Sequence, residues 1–397
     1  MATISKADQP PLRAAQIIET LTMGGAENLA IRIANALAEA GHDSHLIVMT
    51  ERDILSEKVI PDVKVHYLGF WRASIRYPIA FLSSLGQGQR LLADLLRRER
   101  IQVVQTHLPG SNFWGLLLEL RDICPVVATV HNNEEFNYGE IDNRLVRHFR
   151  KRAYQMILRR CHGTVAVSDD VADSLARELG IAPSSAERIR VVTNGVQPFP
   201  PLDVASRLEA RFKLGIPPEV PMVLGAGRLS EQKNFKDLVT AIGILRDRKL
   251  KFQAVIAGEG DLRDELSTQI ERLGLAEILS LPGNLTNLGQ VMGAGDIFVL
   301  PSLWEGLPLV LLEAMSHGLA VVANDIKGMD KVLIDRENGL VVPVGDSRKL
   351  ADSLEALITN EGLRRTIGDK GRALVTDRYN FQTLVDQLVD LYRSAVV

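Results

Sequence analysis

Short apolar runs rich in β-branched residues, each followed by a longer stretch of helical periodicity, recur along the whole chain. In the first half the runs are Ala14–Glu19, His45–Met49, Val63–Leu68, Ile101–Thr106, Val126–Val130, Thr164–Val167 and Ile189–Val192. The second half repeats them at Met222–Leu224, Phe252–Ile256, Ile278–Leu281, Ile297–Leu300, Leu319–Ala323 and Leu340–Val342. Runs this short predict buried strands, and the amphipathic stretches between them, such as Asn28–Ala40, Pro78–Arg100 and Asp142–Arg160, predict helices. Strands that alternate with helices form parallel sheets covered on both faces. At Gln197–Asp203 the alternation stops: Pro198, Pro200 and Pro201 follow an Asn194-Gly195 turn and read as an interdomain linker. The expected architecture is two doubly wound α/β domains facing across a cleft. One spans 1–198 and the other 199–378, with a helix at 379–397 crossing back onto the first.

In such sheets ligands collect outside the carboxyl ends of the strands, so the loops there carry the candidate chemistry. After the first strand comes Thr22-Met23-Gly24-Gly25-Ala26-Glu27. Its paired glycines let a backbone approach a ligand or simply make a tight turn. Two neighbouring strands end on His107 and on His131, the latter followed by Asn132. A strand-end histidine is commonly a hydrogen-bonded structural residue, but two on one sheet edge point to a site.

Three loops of the second half are better equipped. Gly225–Asn234 carries Gly227, Arg228 and Lys233, and Arg forks onto phosphate oxygens while Lys acts as a point charge, so the pair suits a diphosphate. Ala257-Gly258-Glu259-Gly260-Asp261 is a second glycine-bearing turn. The third stretch, Trp304–Gly318, holds Glu305 and Glu313 on either side of an apolar helix expected to begin at Pro308, because proline is tolerated at the first helical position. The free amides of Leu309 and Val310, with the positive end of the helix dipole, make an anion site. Glu313 lies roughly 7 Å further along the axis.

Composition narrows the field. The 397-residue chain is 24% charged with a net charge of −3, so no global field draws nucleic acid, and none is expected as a partner. Cys124 and Cys161 form neither a disulfide framework nor a metal set, which fits a reducing cytoplasm. No run is apolar enough to span a bilayer. The Asp142–Arg160 helix, with seven Lys or Arg interleaved with Phe149, Met156 and other apolar residues, fits two descriptions. It could lie on an anionic membrane from the inner face, through Arg144–Arg160, or pack its apolar side into the core.

The stretches GRLSEQKNF, AGEGDLRDEL, PSLWEGLPLVLLEAMSHGLAVVA and ENGLVVPVGD, in this order, resemble the C-terminal domain of family 4 retaining glycosyltransferases of the GT-B fold. TMGGAEN, VHN, AVS and VVTNGV resemble their N-terminal half, and Glu305 to Glu313 matches the family's E-x7-E signature. The resemblance implies transfer of a sugar from a nucleoside-diphosphate-sugar, UDP- or GDP-linked, to a saccharide or lipid-linked hydroxyl acceptor in cell-envelope, exopolysaccharide or lipopolysaccharide synthesis. By the same resemblance Arg228 and Lys233 would bind the diphosphate, Glu305 the transferred sugar and Glu313 the ribose. Amides after Gly306, at Leu309 and Val310, would meet phosphate and sugar. Gly24, Gly25 and Gly227 would allow close approach, His131 would lie beside the sugar, and His107 and Asn132 on the acceptor side. Pro308, Ala320, Lys327-Gly328 and Lys331 depart from the family pattern and bear on donor-sugar selectivity. No Asp-x-Asp pair occurs, which suits a metal-independent transferase without a cofactor. On this reading Lys233 can be replaced at the cost of turnover, with folding intact. Competing readings are a GT-B sugar-nucleotide epimerase or phosphorylase-like enzyme, and a non-catalytic sugar-nucleotide-binding protein.

Overall fold

A computed structural model describes residues 9–22, 24–70, 78–133, 136, 144–181, 188–285 and 287–396, without the side chains of 78–82 and 144–146. Met23, in the glycine-bearing loop, and residues 142–143 lie outside the described residues. The chain divides into two compact units, Met1–Thr193 with Leu384–Val397, and Asn194–Thr383.

The first unit is built on seven strands: β1 Arg13–Ile18, β2 Asp43–Val48, β3 Lys64–Tyr67, β4 Val103–His107, β5 Val126–Val130, β6 Gly163–Ala166 and β7 Ile189–Val191. All pair in parallel, in the order β3-β2-β1-β4-β5-β6-β7. Helices α1 Gly25–Glu39, α2 Pro78–Arg98, α3 Leu108–Glu119, α4 Arg144–Arg160 and α5 Asp169–Leu179 connect them. β4, β5 and β6 are buried along their whole length, as sheets covered on both faces require. The strand order reverses between β1 and β4, which creates a switch point at their carboxyl ends.

The second unit repeats the plan with β8 Met222–Ala226, β9 Gln253–Ala257, β10 Leu279–Gly283, β11 Ile297–Leu300, β12 Ala320–Asn324 and β13 Leu340–Val342. The parallel order β10-β9-β8-β11-β12-β13 places its switch point between β8 and β11. Its helices are α6 Val204–Lys213, α7 Phe235–Asp247, α8 Arg263–Arg272, α9 Leu288–Ala294, α10 Leu309–Ser316, α11 Ser347–Thr359 and α12 Glu361–Arg378. α13, Phe381–Val396, begins in this unit, and from Leu384 it belongs to the first, burying Leu384, Val385, Leu388, Leu391 and Tyr392.

Three local expectations change. α1 starts at Gly25 with Gly24 as its N-cap, so the glycine pair opens a helix and is not part of a free loop. Pro308 is the N-cap of α10, with an extended ψ of 111°, and the helix proper begins at Leu309. The prolines do not make a free linker: the amide of Phe199 donates to Ser316 Oγ at 3.2 Å and its ring stacks on His317 at 4.4 Å. Asn194 Nδ2 already donates to the Leu307 carbonyl at 3.2 Å, which ties the start of this segment to the second unit.

Candidate functional site

The loops that leave β8 and β11 meet at the switch point of the second sheet. They are joined by backbone and side chain together: the Leu303 amide donates to the Gln232 carbonyl at 2.8 Å, and Gln232 Nε2 donates to the Trp304 carbonyl at 2.9 Å. Lys233 Nζ then donates to Glu305 Oε1 in an ion pair whose side chains are 15% and 8% exposed. Ser302 Oγ, fully buried, donates to the same oxygen at 2.7 Å. Lys233 has three donors and, among the described residues, Glu305 uses one of them, so two are open to another anion. Arg228, in the same loop, is exposed and has no side-chain partner among the described residues. The pairing of Lys233 with Glu305 corrects one expectation, since removing Lys233 would leave a buried carboxylate without its countercharge and folding would not be indifferent to it.

Glycines make these loops possible. Gly227 lies at φ +152° and Gly258 at φ +147°, and a Cβ on Gly258 would come within 1.9 Å of the Gly227 carbonyl oxygen. The two turns are bonded through Gly227 N to Ala257 O at 3.0 Å and Leu229 N to Glu259 O at 2.9 Å.

Past Glu305 the chain runs through half-buried Gly306 into α10. The first intrahelical acceptor is the Pro308 carbonyl, which takes the Leu311 and Leu312 amides at 3.1 and 3.3 Å. The Leu309 and Val310 amides therefore precede the helical ladder and lie at the positive end of the helix dipole. Glu313 sits a turn into the helix and is half-buried. At the other end Arg372 donates to the Ser316 and His317 carbonyls at 3.2 and 2.7 Å, neutralising the negative terminus.

In the first unit the switch point between β1 and β4 brings together residues that the sequence kept apart. His107, buried at the end of β4, places Nδ1 3.2 Å from Nε2 of His131, which follows β5. Its Nε2 lies 2.8 Å from Gln16 Oε1. Burial holds His131 down to about 4 and His107 well below the ordinary histidine value, so both rings are neutral near pH 7. Asn132 is half-buried beside His131. Gly24 is in close contact with its own helix: a Cβ there would meet the Glu27 carboxylate at 2.1 Å, whereas one on Gly25 would meet nothing within 4 Å. Ser302, Gln16, Gln105 and Tyr392 were not among the sequence candidates. The glutamines alone left a signal, as polar residues inside otherwise apolar strand runs.

α4 divides its apolar residues: Tyr154, Ile157 and Leu158 are buried, while Phe149 and Met156 are exposed at 67% and 41%. Arg147, Arg152, Arg159 and Arg160 are exposed on the same helix, and Lys151 pairs with Glu178 at 2.8 Å. Among the described residues no helix is long and apolar enough to cross a membrane. His45, His66 and Glu99 bring ligand-type atoms within 4.8 Å of one another. His45, however, spends Nδ1 on His66 at 3.0 Å and Nε2 on Asp43 at 3.1 Å, and Lys64 and Arg98 flank the group. Cations at that range favour a hydrogen-bonded cluster over a metal centre. Cys124 and Cys161 are free and buried, and burial pushes the Cys124 thiol up to about 12.

The two-unit plan is that of HepE of Anabaena, solved in complex with UDP-glucose, which aligns with 96% of this chain and 99% of its own at a TM-score of 0.77 and 20% identity. The fold is GT-B. A model of Glycosyltransferase Family 4 matches residues 23–198, and one of Glycosyl transferases group 1 matches 206–374. The protein is a GT-B glycosyltransferase related to both families. Alpha-D-kanosaminyltransferase of Streptomyces kanamyceticus is 27% identical over 75% of this chain and 79% of its own length. Phosphatidyl-myo-inositol mannosyltransferase of Mycolicibacterium smegmatis is 28% identical over 94% of this chain and 90% of its own.

Proposed function

We propose that the protein is a retaining, metal-independent hexosyltransferase that uses a nucleoside-diphosphate-sugar, UDP- or GDP-linked, and a hydroxyl acceptor in envelope or polysaccharide synthesis. The observation that carries this reading is the cation-bearing switch point of the second sheet. There Arg228, without a side-chain partner among the described residues, the two remaining donors of Lys233 and the amides of Leu309 and Val310 project from the β8 and β11 loops, which are bonded to each other. In such a transfer negative charge develops on the leaving β-phosphate, and fixed donors that stabilise it supply most of the acceleration. Arg228 and Lys233 would do the work elsewhere done by a divalent ion. Glu305, held by Lys233 and Ser302, would be a fixed acceptor for hydroxyls of the transferred sugar, and Glu313 would meet the ribose. In the first unit Gly24 and Gly25 would leave room for the ligand, His131 would contact a sugar hydroxyl and Asn132 would face the acceptor, whereas His107, fully buried with both ring nitrogens bonded to His131 and Gln16, acts behind His131 and does not meet the acceptor itself. HepE, solved with UDP-glucose, and the mannosyltransferase of Mycolicibacterium, whose name specifies a lipid acceptor, support this choice of substrates.

The test is a thermal-shift panel of UDP-, GDP- and ADP-sugars on the wild type and Arg228→Ala. A ligand that binds only the folded state at a hundred times its Kd adds about 2.7 kcal/mol of stability. One base should raise the melting temperature of the wild type and do so far less in the variant. A panel that shifts neither protein would sink the reading. The exposed Phe149 and Met156 among the arginines of α4 support a seat on anionic lipid, which liposome flotation would detect and charge reversal at Arg152 and Arg159 would abolish.

A further inference from the structure

Gln16 and Gln105 face each other as register partners in the β1–β4 pairing, and both are buried in strands that are otherwise apolar. Buried amides need partners for every end, and here the connecting group comes from far along the chain. Tyr392 of α13 is fully buried; its hydroxyl donates to Gln105 Oε1 and accepts from Gln16 Nε2 at 3.2 Å. The other ends are also met: Gln105 Nε2 donates to Thr129 Oγ1 at 2.8 Å, and Gln16 Oε1 faces His107 Nε2 at 2.8 Å.

We infer that Tyr392 is a positioning residue which, through Gln16 and His107, fixes His131 in the tautomer that carries its proton on Nε2 and presents a bare Nδ1 to accept a hydrogen bond from a ligand hydroxyl. The ligand role rests on the reading of His131 given above; the tautomer does not. An amide oxygen can only accept, so the His107 proton must sit on Nε2. A neutral imidazole has one such proton, which leaves His107 Nδ1 as an acceptor and requires the hydrogen on His131 Nε2, 3.2 Å away. Each bond then points the same way, from His131 through His107, Gln16, Tyr392 and Gln105 to Thr129. Bonds aligned in this manner polarise one another. Among the described residues His131 Nδ1 has no protein partner. Reversing the sense of the chain would require both glutamine amides to turn over together with Tyr392, and His131 would then offer a donor in place of an acceptor.

The test is a long-range proton–nitrogen correlation on the full chain labelled with 15N-histidine at pH 7, with His107→Gln and His131→Gln used for assignment. Both rings should be protonated at Nε2; His131 protonated at Nδ1 would overturn the inference. Tyr392→Phe keeps the ring and deletes the link, and Gln16→Leu cuts the chain elsewhere. Each should move His131 to a mixture of tautomers and lower turnover about five- to tenfold, the loss of one neutral hydrogen bond in the transition state. An unchanged His131 pattern in both variants, with only the melting temperature lowered, makes the tyrosine a packing residue and refutes the proposal. If His131→Ala turns over like the wild type while the tautomers are as described, the ligand role fails and the hydrogen-bond chain stands.

Discussion

Replacing Lys233 with alanine separates what the ion pair does for the fold from what it does for transfer. Glu305 is 8% exposed and Lys233 15%, so the variant takes the Lys233 countercharge from a buried carboxylate that keeps its bond from Ser302 Oγ. Removing one partner of a buried pair costs about 3–5 kcal/mol. The residual exposure and the Ser302 bond place this case at the low end, about 3 kcal/mol. For a unit of roughly 190 residues each kcal/mol lowers Tm by about 2–4 °C, so the second unit should melt roughly 6–12 °C lower. Lys233→Met combined with Glu305→Gln removes both charges at similar volume and should return to within about 1 kcal/mol of the wild type. Turnover should not return, since a lost electrostatic contact to the leaving group costs about 10²–10³ in rate. Calorimetry with a parallel transfer assay below the lowest Tm reads both quantities. A Lys233→Ala variant that melts within about 2 °C of the wild type, or a double variant as unstable as the single, would refute the reasoning.

Further outcomes follow from other contacts. Gly258→Ala should destabilise the second unit by at least about 3 kcal/mol, because φ +147° and a Cβ 1.9 Å from the Gly227 oxygen leave no relaxed arrangement; urea unfolding measures it, and a loss below 1 kcal/mol would contradict the geometry. Asp296→Ala should cost about 3–5 kcal/mol by stranding Arg211, which is 1% exposed and bonds to Asp296 at 3.1 Å, and Arg211→Met added to it should recover part of the loss. The folded state holds His131 at about 4 against an ordinary 6.5, so the unfolded chain takes up this proton first as pH falls. Its contribution is complete above pH 6.5 and is lost towards pH 4, amounting to roughly 3 kcal/mol at 1.36 kcal/mol per pH unit. His131→Gln should flatten the stability profile in that window, and equal slopes for the two proteins would count against it.

Much of the fold could be read from the chain because strand runs such as Val126–Val130 must be continuously apolar to be buried on both faces, and that leaves a local signature. The glycine-bearing loops could be read for the same reason, since Gly227, Gly258 and Gly260 mark backbone where a side chain would be strained or would strike a neighbouring carbonyl. The pairing of Lys233 with Glu305 could not, because seventy-two residues separate them and each residue alone suits a ligand as well as a partner. Gln16 and Gln105 were visible as polar interruptions, but Tyr392 gave no sign, because an aromatic in an amphipathic helix is ordinary core until its hydroxyl is found to have partners. The starts of α1 and α10 were each misplaced by a few residues or one, because glycine and proline fit both a turn and a helix start.

The division of the first unit between residues up to 193 and residues from 384 has a consequence during synthesis. A ribosome finishes β1 to β7 long before it makes Tyr392, so Gln16 and Gln105 emerge without the hydroxyl that joins them, and the surface later covered by Leu388 and Leu391 is open to water. The whole second unit is translated in that interval. The first unit therefore reaches its final state only after the second has been made, and a frameshift or early stop near residue 384 would damage a sheet whose last strand lies some two hundred residues upstream.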